Sequence, residues 1–191
     1  MKFRPCIDIH NGCVKQIVGG SLADKNSAAD ENFVSEYGGG YYAELYKSRG
    51  LSGGHIIILN PAGSEYYEAD RRQAFSALEK YPMGLQIGGG VNVDNAAEYI
   101  SHGASHVIVT SYVFKDGKIS FERLEKLCSA VGKDRVVLDL SCRRRDGKYY
   151  IVTDRWQKFT DTEVTAESIE MLRGYCDEFL IHAVDLSLIH L

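Results

Sequence analysis

The sequence alternates short apolar, β-branched segments with longer amphipathic ones, and this alternation restricts the chain to few folds. The apolar segments have the length of strands, and they are Phe3–His10, Gly54–Asn60, the segment from Leu85, His106–Ser111, Arg135–Ser141 and Glu178–Asp185. Helices are predicted between them at Tyr41–Ser48, Glu68–Lys80, the segment from Ala96, Phe121–Val131 and Thr165–Cys176. Strands that alternate with helices in this way predict parallel βαβ units.

Two architectures have such units, a doubly wound sheet and a (β/α)8 barrel. A dinucleotide-binding sheet places Gly-x-Gly-x-x-Gly after the first strand, whereas here three glycines follow the third strand. A complete barrel has about 250 residues, and this chain has 191 with six core strands. We therefore predict an α/β fold of the (β/α)8 TIM-barrel type that is incomplete, forming one partial domain over residues 1–191.

Three further segments have predicted structures outside the alternating pattern. Asn11–Gly12 is a hairpin turn, and Gly19–Gly40 is polar and glycine-rich, which indicates a long loop. The Asp146–Gly147 turn precedes Tyr149–Asp154, which is predicted to be part of a small hairpin arm. The helix at Tyr41–Ser48 has Tyr42, Leu45 and Tyr46 at helical spacing, and its aromatic side chains are expected to pack in the core rather than to form a ligand cage.

Composition excludes several classes of function. No apolar segment approaches the roughly 20 residues that span a bilayer, so no membrane contact is expected, and no leader is recognisable, which favours the cytoplasm. The net charge of −4 argues against a nucleic-acid binder. Five cysteines without a Cys-x-x-Cys pair indicate neither disulfides nor a zinc site.

The glycines of Leu85–Ala96 are candidates for phosphate binding. They are Gly88, Gly89 and Gly90, and a helix that Asn92 or Asp94 could cap follows them. A plain turn between a strand and a helix is the alternative. Thr110 and Ser111 end the next strand, where their hydroxyls can approach the same ligand, and this favours the phosphate interpretation.

Asp8 and Asp139 end the first and fifth strands and are the candidate catalytic residues. In an eight-stranded ring these strands lie opposite each other, so the carboxylates are predicted to face across the mouth of the barrel. Such a pair suits a reaction that needs an acid on one side of the substrate and a base on the other. Alternatively, each aspartate caps a turn or pairs with Arg143 or Lys15.

Arg143 and Trp156 are the remaining candidate substrate-binding residues. Arg143 begins a basic run that is either a solvated turn or part of an anion site, and Trp156 either packs on the surface or closes over an aromatic ring. His10 and His182 also lie near strand ends, but they do not have the spacing of metal ligands.

The sequence resembles the eukaryotic phosphoribosylformimino-5-aminoimidazole carboxamide ribotide isomerase family of histidine biosynthesis. The resemblance covers residues 3 to 185 and depends on six segments, residues 5–12, 53–59, 85–91, 104–111, 137–143 and 151–159. It implies a (β/α)8 barrel that rearranges an aminoaldose to an aminoketose, an Amadori rearrangement, without metal or cofactor. It also implies that Asp8 is the general base and Asp139 the general acid, and that Gly89, Gly90, Thr110 and Ser111 hold one of two substrate phosphates.

The family's second phosphate site follows strands seven and eight, which are not in this sequence. We therefore expect a truncated or fragmentary chain of uncertain activity, acting on a small phosphoribosyl substrate and monomeric when complete. Ala183 replaces a small hydroxyl or glycine residue that the family often has, so a catalytic contact at the sixth strand is not expected. The alternatives are a non-catalytic phosphosugar-binding fragment and the sister cyclase of the pathway, imidazole glycerol phosphate synthase.

Overall fold

The computed structural model describes residues 2–17, 31–154 and 156–184. The chain divides into two compact units, Met1–Ile108 and Val109–Leu191, and the predicted single domain stays a prediction. Within the described ranges, no helix has the length and apolar character needed to cross a membrane.

The first unit contains a sheet with a parallel and an antiparallel part. Its strands are β1 (Cys6–His10), β2 (Cys13–Ile17), β3 (Glu31–Val34), β4 (Gly54–Ile58), β5 (Leu85–Gly88) and β6 (Val107–Val109), the last at the boundary of the unit, and its helices are α1 (Gly39–Ser48), α2 (Tyr67–Lys80) and α3 (Ala96–Ser101). Strands β1, β4, β5 and β6 are parallel neighbours in that order, as expected for successive βαβ units. Strands β2 and β3 continue from β1 as an antiparallel meander.

The core of the first unit lies between its parallel strands and α2. The apolar side chains are fully or nearly fully buried, and they include Ile7, Ile9, Ile56, Ile58, Ala74, Ala77 and Leu78. Helix α2 contacts β1 and β4 through this face. The alternation of buried and half-buried residues along β4 follows from the period of two in a strand.

Helix α1 differs from its prediction. It begins at Gly39 rather than Tyr41, and its buried residues are Gly39, Gly40 and Ala43. A Cβ atom at Gly39 would lie 2.7 Å from the carbonyl oxygen of Gln73, so only glycine lets α1 come this close to α2. The expected core packing of the aromatic side chains is met only in part, since Tyr42 and Tyr46 are half-buried.

The predicted loop Gly19–Gly40 is partly wrong, because it contains β3, whose Phe33 pairs with Gln16 of β2. Residues 19–30 of that loop lie outside the described residues. The Asn11–Gly12 turn is confirmed, with φ of 52° and 77° in the left-handed region that a tight hairpin requires.

The second unit contains a parallel strand pair and a three-stranded arm. Its strands are β7 (Phe114–Lys115), β8 (Lys118–Ile119), β9 (Val136–Asp139), β10 (Cys142–Arg145), β11 (Lys148–Thr153), β12 (Lys158–Glu163) and β13 (Glu178–Leu180), and its helices are α4 (Phe121–Val131) and α5 (Ala166–Leu172). Strands β9 and β13 are parallel, with Leu180 beside Asp139. Strands β10, β11 and β12 form the arm, which extends the predicted hairpin by one strand.

The fold class predicted from the sequence is confirmed. Parallel strands alternate with helices, and six core strands of the (β/α)8 type are present among the described residues, namely β1, β4, β5, β6, β9 and β13. The predicted helix Phe121–Val131 is α4 residue for residue. The predicted helix Thr165–Cys176 is shorter as an α-helix, because its last turn, Arg173–Tyr175, is a 3-10 helix.

Candidate functional site

Asp139 is the last residue of β9 and is half-buried. Its Oδ1 accepts hydrogen bonds from the main-chain N–H of Ser141 at 2.7 Å and from the Ser141 hydroxyl at 2.6 Å. Its Oδ2 accepts a hydrogen bond from the hydroxyl of Thr110 at 2.8 Å. The carboxylate therefore has a defined orientation at the carboxyl end of its strand, the position where (β/α)8 enzymes hold reactive groups.

Asp8 lies in β1 and is also half-buried. The prediction that it ends the strand is wrong, since β1 continues to His10 because Ile9 and His10 pair with β2. The thiol of Cys6 donates a hydrogen bond to Asp8 Oδ1 at 2.9 Å. The hydroxyl of Tyr46 donates to the main-chain oxygen of Cys6 at 3.1 Å, so α1 is joined to the strand that carries Asp8.

The thiol and phenol near Asp8 are held in their neutral forms. Loss of water around the Cys6 thiol, followed by the negative charge of Asp8, raises the pKa of Cys6 well above its ordinary value, although part of the residue is exposed. Burial first, and then Cys6, Tyr42 and Asp8, raise the pKa of Tyr46. Both groups can therefore donate hydrogen bonds beside Asp8 at neutral pH.

Asp8 belongs to the first unit and Asp139 to the second. Their predicted approach across the mouth of a barrel stays a prediction.

The glycines after β5 form an open turn. Gly89 and Gly90 have φ of 95° and 72°, in the left-handed region that favours glycine. A Cβ atom at Gly89 would overlap the carbonyl group of Ile58, whereas a Cβ atom at Gly90 would have no described atom within 4 Å. Gly89 is therefore required by the packing of the turn, while Gly90 leaves space for a ligand to approach the main chain.

The helix behind this turn is shorter than predicted. Helix α3 begins at Ala96 and has six residues, so it adds little dipole to a phosphate site. The prediction that Asn92 or Asp94 caps it is wrong, because Asn95 stands at the N-cap. The Asn95 side chain instead joins the turn, where it accepts from the N–H of Asn92 at 2.9 Å and donates to the oxygen of Gly90 at 3.1 Å.

Thr110 and Ser111 follow β6 and have different hydrogen-bond partners. The Thr110 hydroxyl donates to Asp139, whereas the exposed Ser111 hydroxyl accepts from the N–H of Asp154 at 3.1 Å. A hydroxyl that accepts from an N–H retains its own proton for another acceptor. Ser111 can therefore donate to a phosphate oxygen without losing its hydrogen bond from Asp154.

Arg143 and Trp156 lie on the arm and in its loop. Arg143 is half-buried in β10, and its guanidinium carbon lies 5.9 Å from the centre of the Phe159 ring. Trp156 has a φ of 66°, and its ring meets that of His182 edge to face at 5.6 Å between centroids. Both aromatic contacts are packing contacts, and the ligand-binding roles of Arg143 and Trp156 stay predictions.

Sequence reasoning missed Ser141, which is 2% exposed and makes two of the three hydrogen bonds to Asp139. The spacing Asp-x-Ser was the available indication, since an aspartate often accepts from the main chain two residues later. In the described ranges, no group of three or more His, Cys, Asp or Glu side chains is arranged to hold a metal ion.

Comparison with known proteins gives the family. The family model described as "Histidine biosynthesis protein" matches residues 2–186. The chain is 53% identical to the 1-(5-phosphoribosyl)-5-((5-phosphoribosylamino)methylideneamino)imidazole-4-carboxamide isomerase of Medicago truncatula, named as chloroplastic. It is 51% and 46% identical to the isomerases of the same name from Yarrowia lipolytica and Saccharomyces cerevisiae.

Each of these three alignments covers 97% of this chain. The chain spans 59% of the length of the Medicago protein and 69% of each of the two fungal proteins. Since the family model matches nearly all of the sequence, the chain belongs to the family of histidine biosynthesis proteins.

Proposed function

We propose that this chain carries the isomerase activity named for its relatives, and that the reaction is an Amadori rearrangement of a bis-phosphorylated aminoaldose to an aminoketose. The observation that carries the proposal is the carboxylate of Asp139, oriented by three hydrogen bonds at the end of β9. The second carboxylate, Asp8, lies on β1 with the neutral thiol of Cys6 beside it. Two carboxylates are the groups that an acid–base rearrangement of this kind requires.

In the proposed mechanism Asp139 is the general acid. Its proton passes to the ring oxygen of the aminoribose as the bond between C1 and that oxygen breaks, and the nitrogen lone pair forms the C1=N bond of a protonated open-chain imine. Asp8 is the general base and takes the proton from C2. The electrons of the C2–H bond form C1=C2, and the π electrons of the C1=N bond return to nitrogen as its lone pair, which leaves a neutral enaminol.

The resulting enaminol becomes the product when its 2-hydroxyl loses a proton and C1 gains one, which gives the ketone at C2. The proton count balances, and no electrons leave the substrate. Each step is a proton transfer, so the two carboxylates can perform the whole reaction once each has the protonation state that its role needs.

Substrate binding is assigned to the remaining candidates. Gly89 and Gly90 offer an open turn to one phosphate, and Ser111 retains a hydroxyl proton for an anion. We also propose that the main chain of Thr110 adjoins this phosphate, that Arg143 adds positive charge and that Trp156 contacts the imidazole ring. The Medicago relative is named as chloroplastic, whereas the names of the two fungal relatives include no organelle. We propose a cytoplasmic location by analogy with the fungal relatives.

The test is an isomerisation assay of the 191-residue chain with wild type, Asp8→Asn and Asp139→Asn. We expect turnover by the wild type and a loss of roughly 1,000-fold or more in kcat for each variant, since each removes a group that acts in the transition state. Far-UV circular dichroism establishes that all three proteins are folded. A folded wild type without turnover would contradict the proposal and favour a phosphosugar-binding fragment.

A further inference from the structure

The hydrogen bonds of Asp139 account for three of the roughly four lone-pair positions that a carboxylate offers. Two donors reach Oδ1, both from Ser141, and one donor reaches Oδ2, from Thr110. The position that remains lies on Oδ2. A proton that Asp139 delivers to a substrate would therefore leave from Oδ2, the oxygen that Thr110 contacts.

The Thr110 hydroxyl cannot serve Asp139 and a phosphate together. A hydroxyl has a single proton, and the proton of Thr110 is donated to Asp139 at 2.8 Å. Any further contact of this oxygen must accept a proton, and a phosphate dianion has none to donate. The Thr110 side chain is thus better suited to holding the acid than to binding the anion.

The main chain around Ser141 is fixed on both sides. The N–H of Leu140 donates to the oxygen of Leu180, and the N–H of Cys142 donates to the oxygen of His182, each at 2.8 Å. The Ser141 side chain is buried between these anchored residues. The N–H and the hydroxyl of Ser141 therefore have a fixed position relative to β9, and together they hold Oδ1 of Asp139 in place.

We propose that Thr110 and Ser141 are positioning residues that hold Asp139 with Oδ2 free to transfer the acidic proton. The catalytic meaning of this arrangement rests on the proposed function, whereas the hydrogen bonds themselves do not. Holding both oxygens fixes the rotations about Cα–Cβ (χ1) and about Cβ–Cγ, and a general acid depends on such alignment, because a displacement of about 1 Å can lower a rate roughly 100-fold.

The kinetic test compares Thr110→Val, Ser141→Ala and the matched control Ser105→Ala. Ser105 is also a buried serine, and its hydroxyl donates to the main-chain oxygen of Leu85 at 3.0 Å. We expect kcat to fall roughly 10-fold to 100-fold in Thr110→Val and in Ser141→Ala with little change in KM. We expect Ser105→Ala to keep the kcat of the wild type and Ser141→Thr to restore most of it.

A rise in KM at unchanged kcat in Thr110→Val would overturn the assignment, because it would mean that the hydroxyl contributes equally to binding substrate and transition state, as a phosphate contact does. Unchanged kcat in both Thr110→Val and Ser141→Ala would overturn it as well.

A second measurement does not need turnover. Three-bond NMR couplings across χ1 of Asp139 in the wild-type chain report whether the side chain has one rotamer or several. We expect one rotamer in the wild type and averaging in Thr110→Val/Ser141→Ala. Averaging in the wild type itself would overturn the proposal, even if the variants do not fold. A single rotamer in a folded chain without turnover would support the positioning and count against the proposed function alone.

Discussion

The carboxylate of Asp70 accepts the main-chain N–H of Gly12 at 2.6 Å, although the two residues are 58 positions apart. Asp70 lies in the first turn of α2 and is fully buried, and Gly12 is in the turn after β1. Gln73, one helical turn further along, donates to the oxygen of Gly12 at 3.1 Å. Helix α2 therefore fixes the turn that follows the strand carrying Asp8.

Asp70→Asn is expected to change how stability depends on pH. Burial raises the pKa of Asp70, against the opposing effects of the Gly12 hydrogen bond and Lys15. The pKa of Asp70 in the folded state then lies above its unfolded-state value of about 3.9. At a pH between these two pKa values the native state binds more protons than the unfolded state, so the free energy of unfolding falls as the pH rises from the lower pKa to the higher one. The asparagine variant lacks this loss, so its free energy of unfolding relative to wild type should increase from about pH 4 upwards and then level off. Urea unfolding across pH measures the difference.

Asp70→Ala is the matched variant, since it removes the acceptor instead of only its charge. Leaving the Gly12 N–H without its partner should lower the free energy of unfolding by about 1–3 kcal/mol. If the difference between Asp70→Asn and wild type does not vary with pH, the inferred rise in the Asp70 pKa is wrong.

Gly89→Ala and Gly90→Ala are expected to have different effects. Both add a Cβ atom at positive φ, which costs about 1–2 kcal/mol. Only the Gly89 variant also forces a Cβ atom onto the carbonyl group of Ile58, so it should lose several times more stability. Gly90→Ala should remain folded and bind inorganic phosphate more weakly, because its methyl group enters the open space.

Thermal unfolding and phosphate titration by NMR separate these effects. Gly147→Ala provides the control, since this glycine also has a positive φ and no described atom within 4 Å of an added Cβ, and it lies in the arm. Equal losses of stability in Gly89→Ala and Gly147→Ala would contradict the role of Ile58, and unchanged phosphate affinity in Gly90→Ala would contradict a ligand at this turn.

Thr165→Ala should destabilise the second unit by about 1–2 kcal/mol. The Thr165 hydroxyl accepts from the N–H of Ser168, and the Ser168 hydroxyl accepts from the N–H of Thr165, so the two residues form a capping box for α5. The control is Ser101→Ala at the end of α3, where the exposed hydroxyl contacts only the oxygen of Glu98 among the described residues. Its loss, measured by chemical unfolding, should be below about 0.5 kcal/mol.

Local patterns predicted the elements whose ends are set by single residues. Helix α4 matches its prediction because Ser120 caps its start and Gly132, with a φ of 83°, ends it. The prediction of the Asp146–Gly147 turn is confirmed for a similar reason, since both residues adopt the left-handed conformation that these residue types tolerate. In such cases the chemistry of one or two residues decides the local structure.

Features that depend on distant partners were not predictable in the same way. Gly39 lies on the buried face of α1 because Gln73, more than 30 residues away, approaches its main chain. The buried carboxyl group of Asp70 accepts a hydrogen bond from the main-chain N–H of Gly12, 58 residues earlier. The position of Asp139 at a strand end was predicted correctly, but its contact with Thr110 required the positions of two strands that are separated in sequence.

The reactivity of Cys6 should report the contact between its thiol and Asp8. Loss of water and the Asp8 carboxylate raise the pKa of the thiol, so the thiolate that iodoacetamide attacks is scarce near pH 8. Asp8→Asn removes the negative charge and should increase the alkylation rate about tenfold for each pKa unit recovered. Cys128 is the internal control, because burial raises the pKa of its thiol and Lys133 opposes that rise. Peptide mass spectrometry measures both rates in one sample. An equal change at Cys6 and Cys128 would indicate a general loosening of the fold, and no change at Cys6 would contradict the hydrogen bond to Asp8.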